Sequence, residues 1–316
     1  MADLQNTFTW SVSRDKTFEM CARQYWWNYY GSWGGWSRDA DPEARRAYMF
    51  KNLSNRWAWV GTAVHEAIEG LLKRLQRRGG HGTLDFEGRG DEVRRERELE
   101  RLTERMRRDY VSSRDGRYRD QPKKAFGLVE HEYSEPVSRD EWAAMNDKAR
   151  AALDAFLVSP LFDDVRSSDP ARWLPIEQLD QFDMEGTPVW VVLDFARRLA
   201  DDTLHIYDWK TGKIDPEGNR PQLGCYTLYV GLRHDAPPAK VVNHLVYLGT
   251  DLTEVTFTLD EKDLEATKDF MRQSIARMKA RLVDPAANAA RREDFPLTDD
   301  LARCASCAFR RLCGRE

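Results

Sequence analysis

Hydrophobic and polar positions change period along this chain, and the changes divide it into elements. From Thr9 to Gly31, Phe18, Cys21, Tyr25 and Tyr29 recur at helical spacing, with Ser11 or Ser13 placed to cap the start. Gly31 to Gly35 reads as a loop rich in Trp and Gly. The helical period returns over Trp57–Arg78 and stops at Gly79-Gly80, and a turn-rich break fills Gly79–Gly90. Asp91–Tyr110 predicts a highly charged helix with a thin apolar stripe (Leu99, Leu102, Met106, Tyr110), followed by a polar linker. Another amphipathic helix spans Arg139–Val158 and stops before Pro160. The period then falls to two. Leu174–Asp183, Thr187–Arg198 and Thr203–Lys210 predict three consecutive strands in a meander. Arg220–Leu232 reads as a helix, Lys240–Gly249 and Glu254–Leu259 as strands, and Asp260–Leu282 as a long helix capped by Asp260. Helices first, a compact sheet in the middle and a helix between strands predict an α/β fold with a helical insertion.

At 316 residues the chain can bury a substantial core. No apolar run reaches the length of a membrane span, and MADLQNTFTWS lacks a signal-peptide pattern, so a cytoplasmic protein without a membrane partner is expected. The net charge of −4 gives no global nucleic-acid signature. Between Arg105 and Lys124, however, eight basic residues stand against three acids, which is either a solvated helix face and loop or a basic rim for phosphates.

The chemistry concentrates in Asp194 and in Asp208-Trp209-Lys210. Alternation along a strand puts Asp208 and Lys210 on one side, and a neighbouring strand can bring Asp194 beside them. Two carboxylates offer hard oxygen ligands to Mg²⁺ or Mn²⁺, and the Trp209 carbonyl can complete the shell. Lys210 is suited to orient or deprotonate a water, or to neutralise charge on a scissile phosphate. Taken alone, the triplet equally describes an exposed strand end with an ion pair. Its company adds weight: Gln222 and Tyr226 lie one helical turn apart, and His65 follows Gly61-Thr62 on a helix.

Together these residues resemble the PD-(D/E)XK nuclease superfamily, in particular its RecB-like and Cas4-like branch. Gly61 to His65 match its Gly-x-x-x-His helix, Asp194 its strand-end Asp, Asp208-Trp209-Lys210-Thr211-Gly212 its Asp-x-Lys strand, and Gln222 to Tyr226 its Gln-x-x-x-Tyr helix. The resemblance implies a restriction-endonuclease-like core, a mixed central sheet flanked by helices. It makes His65, Asp194 and Asp208 metal ligands, Lys210 catalytic, and Gln222 and Tyr226 DNA-positioning residues. Glu177 stands on the strand where the family often has an acid. One departure is Val191, where a glycine commonly precedes the first Asp by three residues.

Five cysteines in a chain expected in the cytosol argue for metal or redox chemistry rather than disulfides. Cys304, Cys307 and Cys313 close the chain as C-x2-C-x5-C, with Cys21 far upstream, and this set resembles the iron-sulfur members of the same branch. The resemblance implies a 4Fe-4S cluster held by these four thiolates. Zn²⁺ takes four thiolates too, so spacing leaves both metals open. Fixing residue 21 to residue 304 is worth on the order of 5 kcal/mol by chain entropy, so a structural staple is a sufficient role. Cys225 reads as a small buried side chain.

The division implied is 1–78 for the amino-terminal helices, 79–171 for the helical insertion, 172–282 for the nuclease core and 283–316 for the cysteine tail packing on the amino-terminal region. The function implied is a metal-dependent deoxyribonuclease, an exonuclease favouring single-stranded ends, with DNA and recombination or repair proteins as partners. Trp26, Trp27, Trp33, Trp36, Trp57 and Trp59 offer either core packing or base stacking. The alternatives are a nuclease fold kept as a DNA-binding or assembly subunit, a zinc-stapled version of the same nuclease, and a redox regulator, which would leave the Asp and Lys set unexplained. The 79–171 stretch matches no motif of the family and is larger than compact Cas4 proteins carry, so a part in spacer acquisition does not follow. A helical lid or a partner surface is expected there.

Overall fold

A computed structural model describes residues 5–77 and 89–315, the side chains of 89–91 excepted. The chain opens with α1 (Val12–Met20), capped by Ser11, whose Oγ accepts the Arg14 N–H. The predicted Thr9–Gly31 helix is not continuous. At Cys21 the backbone is extended (φ −163°, ψ 110°), α2 (Ala22–Trp26) starts afresh, and a π turn carries it to Gly31. Next come α3 (Pro42–Lys51), which the periodicity missed, β1 (Leu53–Ser54) and α4 (Arg56–Arg77). The predicted Gly79–Gly90 break, with its Gly79-Gly80 stop, falls almost wholly outside the described residues.

The predicted charged helix runs longer, as α5 (Arg89–Arg114), and takes up the start of the expected linker. Then follow β2 (Gly127–Leu128), paired in parallel with β1, α6 (Val129–Glu132), α7 (Arg139–Leu157) and α8 (Pro160–Ser167). A capping box of Ser138 and Glu141 starts α7. Pro160 ends α7 as expected but also opens α8, because a proline at the first helical position gives up an N–H that no carbonyl would have received.

Two of the predicted strands differ from expectation: Leu174–Asp183 is strand only from Leu179, and Thr187–Arg198 is interrupted. β3 (Leu179–Met184) and β4 (Thr187–Val192) form a hairpin, and β5 (Phe195–Arg198) resumes after a bend at Leu193-Asp194. Pairing continues past the bend: Trp173 bridges Arg197, and the Leu174 N–H donates to Ala196 O at 2.9 Å. The meander is thus present, broken where the candidate carboxylates stand. β6 (Leu204–Lys210) pairs antiparallel with β5 and parallel with β7 (Val241–Leu248), and β8 (Leu252–Phe257) closes the order β5-β6-β7-β8. The parallel pair is joined by α9 (Pro216–Arg233). Asp260 caps α10 (Glu261–Lys279) in a second capping box, and α11 (Leu301–Ala305) begins the cysteine tail.

The mixed sheet is buried on both faces, so the architecture is α/β. Leu204 and Ile206 of β6 and Leu245 of β7 face α1, α9 and α10. Tyr207, Trp209 and Val246 face a helical layer of α4, α5, α7 and α8. A small third cluster of Trp27, Ala47, Phe50 and Phe309 receives Cys307 and Cys313. Helices α5, α7 and α8, within the 79–171 stretch, therefore pack on the sheet, where Phe156 of α7 meets Trp209 edge-on at 5.2 Å. No described helix is long and apolar enough to cross a membrane.

Phe156 is fully buried between Trp209 and Phe162. Phe156→Ala is expected to cost about 3–5 kcal/mol. Denaturant unfolding followed by far-ultraviolet circular dichroism and by tryptophan fluorescence should shift as one transition. Two separated transitions would show that α7 is not part of the core that holds the site.

Candidate metal and phosphodiester site

The bend between β4 and β5 makes the site. Phe195 pairs with Tyr207, so a continuous ladder would next satisfy Trp209 from the backbone near residue 193. Instead the Leu193 carbonyl accepts the Glu177 N–H at 3.1 Å, and the Trp209 N–H donates to Asp194 Oδ2 at 2.8 Å. A side-chain carboxylate thus replaces a ladder acceptor, satisfying a buried donor and fixing Asp194 at the sheet edge. The N–H and C=O of one strand residue point to the same edge, so the Trp209 carbonyl lies on the Asp194 side. Glu177 takes a left-handed conformation (φ 50°), sparsely populated by a residue with a Cβ, which turns it out of regular pairing.

His65 arrives from α4. Gly61 lies one turn before it, where a Cβ would stand 3.0 Å from Thr211 Oγ1. The glycine therefore permits a close approach of α4 to the segment after β6. His65 Nδ1 lies 3.5 Å from Asp194 Oδ2 and 3.9 Å from Glu177 Oε1, and ligand atoms of all three residues fall within 4.8 Å of one another. Burial alone would hold His65 low. Glu177, Asp194 and Asp208 together outweigh it and raise the imidazole to about 9. Asp194 is pushed up to about 7, first by burial and then by the charge of Asp208. Three carboxylates, an imidazole and the Lys210 ammonium are thus gathered in one corner, where His65, Glu177 and Asp194 form a donor set that could hold a metal ion.

Asp208 and Lys210 share a side of β6, as alternation requires, with Lys210 Nζ 2.5 Å from Asp208 Oδ2. Asp208 is fully buried. Its Oδ1 accepts from Gln222 Nε2 at 3.0 Å and from the Tyr226 hydroxyl at 3.2 Å, both on α9. Lys210 Nζ in turn donates to Gln222 Oε1 at 3.0 Å, so one amide ties carboxylate to ammonium and fixes which way the amide faces. Tyr226 is held above the usual phenol range, by burial first and then by Asp208 and Asp194, and so serves as a neutral donor. Asp208 Oδ2 is buried, and its partner among the described residues is the Lys210 ammonium.

All the residues singled out from the motifs thus meet at one end of the sheet. Asp194, Glu177 and His65 form a tight donor group that could hold a metal ion, and Asp208 stands beside it in the grip of Lys210, Gln222 and Tyr226. Sequence reasoning missed the opposite wall. A cleft of about 800 Å³ runs from Asp194, Gln222 and Tyr226 along the start of α1, past Thr9, Ser11, Arg14, Lys16 and Trp33. Burial and then the like charge of Lys210 lower Lys16, so the two ammoniums are close enough to oppose each other. The only available signal was that Ser13 and Lys16 lie on one face of the opening helix. Among the tryptophans, Trp27 and Trp59 are core and Trp26 packs against it, whereas Trp33, Trp36 and Trp57 are exposed.

The cysteine tail returns to the break between α1 and α2. Arg303 Nη1 donates to Met20 O at 2.9 Å, and Arg23 Nε to Phe295 O at 2.7 Å. Three sulfurs accept N–H groups: Cys21 from Gln24 (3.4 Å), Cys307 from Phe309 (3.4 Å) and Cys313 from the Trp27 indole (3.3 Å). The Cys307 thiol is pushed up to about 12, by burial first and then, against the Phe309 N–H, by its proximity to Cys313, Cys21 and Cys304. Cys225 is buried on α9, 3.8 Å from Met271 Sδ.

Gln222→Leu would leave Asp208 and Lys210 without their shared amide while removing no ligand. The expected result is a fall in rate of about 10–100-fold, with divalent-metal affinity in calorimetry changed far less. Equal losses of both would place Gln222 in the ligand set instead.

The chain matches the family model of the PD-(D/E)XK nuclease superfamily over residues 9–314. No curated protein gives a significant match. The enzymes of this superfamily use divalent metals and cut nucleic acid, which agrees with the donor set assembled at the bend. On both the matched length and the sheet-end site, this chain belongs to the PD-(D/E)XK nuclease superfamily.

Proposed function

We propose that the protein is a Mg²⁺- or Mn²⁺-dependent deoxyribonuclease of the RecB-like and Cas4-like branch, an exonuclease acting on single-stranded ends. The observation that carries this reading is the convergence of His65, Glu177 and Asp194 beside the Asp208–Lys210–Gln222 bridge, with Glu177, Asp194 and Gln222 lining an open cleft. His65, Asp194 and Glu177 would hold the cation, with Asp208 and the Trp209 carbonyl at its border. Bound there, it supplies Lewis-acid stabilisation of the charge that builds on phosphoryl oxygens. Lys210, held by Asp208 and Gln222, presents an ammonium that orients the attacking water and neutralises the scissile phosphate. Tyr226 keeps the Asp208 carboxylate fixed. A cleft that opens to solvent along one helix suits a single strand, and the exposed Trp33 at its border offers a face for base stacking.

The four cysteines Cys21, Cys304, Cys307 and Cys313 would hold a 4Fe-4S cluster as a structural staple. Thiolates are the ligands such a cluster requires, and three of the sulfurs already have N–H groups directed at them. Recombination or repair proteins are the partners such an enzyme would have.

End-labelled single- and double-stranded DNA should be cut only with Mg²⁺ or Mn²⁺, and Asp208→Ala should lower the rate by about 10³-fold or more while binding persists. Binding without cleavage by the unaltered protein would instead favour an assembly subunit. Protein purified without oxygen should absorb near 400 nm, and Cys21→Ser should remove that band and lower the melting temperature before metal affinity at Asp194 changes. A colourless protein containing stoichiometric zinc would replace iron-sulfur with zinc.

A further inference from the structure

Away from Asp194, the cleft wall carries aromatic surface that the core does not use. Trp33 lines the cleft and is 39% exposed. Trp36 stands edge-on to it, with ring centroids 5.1 Å apart, and is 47% exposed. The turn that presents the two indoles is firmly built. Gly34 takes a left-handed backbone (φ 77°), and a Cβ on Gly35 would collide with the Ala44 carbonyl, so the Gly-Gly pair lets the turn lie against α3. The Gly35 N–H donates to Ser32 O at 3.1 Å, the Ser37 N–H to Gly34 O at 2.9 Å, and Arg45 of α3 to Ser37 O at 3.1 Å. Trp36 also meets Tyr48 of α3 edge-on at 5.8 Å. A fixed turn that keeps two indoles half in water forgoes much of the burial they could contribute to folding. Charge beside them is unbalanced. Tyr29 lines the same wall, and Arg14 of α1 lies over its ring at 4.1 Å, Lys51 of α3 at 5.3 Å. Arg14 donates to the neutral Thr9 O, and neither cation forms an ion pair among the described residues. Lys51 is held below its usual range, by burial first and then by the like charge of Arg14, with no carboxylate opposing either.

Two cations drawn to one ring without a counter-charge, next to two solvent-facing indoles, make a surface whose complement is both anionic and aromatic. A nucleic-acid single strand is both, with a phosphate at every step and bases whose faces are free to stack. We infer that the wall from Tyr29 to Trp36 is the track for the part of the strand that extends beyond the metal end. Arg14 and Lys51 hold a phosphate there, and Trp33 and Trp36 stack bases. A duplex does not fit this surface, because its bases are already stacked on one another. The inference rests on the nuclease reading and extends it from the metal end to the path of the strand.

The test uses full-length Trp36→Ala, Trp36→Phe, Lys51→Gln and Lys51→Arg, with labelled single strands of about 4 to 16 nucleotides. Kd is measured in Ca²⁺ over a range of NaCl, for ordinary strands, for strands carrying abasic sites and for duplex. Trp36→Ala is expected to weaken binding of the longer ordinary strands about tenfold with an unchanged salt slope, and Trp36→Phe to restore most of the loss. Abasic strands and duplex should bind Trp36→Ala and the unaltered protein alike. Lys51→Gln should weaken ordinary and abasic strands together and reduce the slope of log Kd against log salt by about 0.7, with Lys51→Arg restoring it. The track is overturned if Trp36→Ala binds the ordinary strand like the unaltered protein, or loses as much affinity for abasic strands or duplex. A salt slope unchanged in Lys51→Gln overturns it equally. Intact strand binding by Trp36→Ala together with altered sedimentation would also overturn it, assigning the indoles to contact between copies. Failure of the nuclease reading is a separate outcome, in which the unaltered protein shows no Asp208-dependent cleavage, whereas these affinities are read in Ca²⁺ without cleavage.

Discussion

The hydrogen bond from the Trp209 N–H to Asp194 Oδ2 is the constraint on which the rest of this site depends. A regular ladder would have paired that N–H with backbone and left no reason for a carboxylate to lie inside the sheet. Because β4 and β5 separate at Leu193-Asp194, the buried donor must find another acceptor, and Asp194 is the one in reach. The same separation hands the Leu193 carbonyl to Glu177, whose left-handed backbone brings a second carboxylate to the bend. Asp208, one residue before Trp209, then completes a cluster in which burial first and the Asp208 charge second raise Asp194. Strain and burial are thus spent at one place, as expected of a site built to receive a cation.

Alternation along β6 assigns the two faces different tasks. Tyr207 and Trp209 enter the helical layer, where Phe156, Phe162 and the apolar stripe of α4 surround them. That packing fixes the height of α4, and Gly61 lets it close on Thr211, so that His65 reaches Asp194. Asp208 points the other way, to α9, where a fully buried carboxylate is tolerable only because Gln222, Tyr226 and Lys210 all address it. Breaking such a buried group's pairing costs more than the pairing contributes, which is why the bridge behaves as one unit.

How far this was legible in the sequence follows from how local each signal is. Asp208 and Lys210 lie on one side of a strand by alternation alone, and Gln222 and Tyr226 on one side of a helix by its pitch. The capping boxes at Ser138 and Asp260 are likewise written in adjacent residues. The interruption at Asp194 was legible only in part: the motif makes Asp194 a strand-end residue, while alternation reads on from Thr187 to Arg198, and it is the pairing across to Glu177 and Trp209 that breaks it. The extended backbone at Cys21 was hidden in the same way: helical spacing continues through it, while the cysteine tail packs at that point. The layer from α5 to α8 was read as an appendage because no motif marks it. Its contribution is packing against Trp209, and packing leaves only an apolar stripe in the sequence. Lys16 left only a faint signal for a third reason, since it lines a cleft made with residues some two hundred positions away.

The opening helix links the two ends of this argument. At nine residues α1 spans about 13 Å, with its first turn on the cleft and its last against Cys21. Along its length it is tied to α10: Ser274 Oγ accepts the Trp10 indole N–H at 2.8 Å and donates to Asp15, whose carboxyl is pushed up by burial. A helix held at its middle by Asp15 and at its end by the cysteine tail cannot move its first turn independently. Whatever fixes Cys21 against Cys304, Cys307 and Cys313 therefore also sets the distance from Thr9 and Lys16 to Lys210. A staple there would act on the cleft without taking part in the chemistry, by holding one wall of it at the spacing the other wall requires.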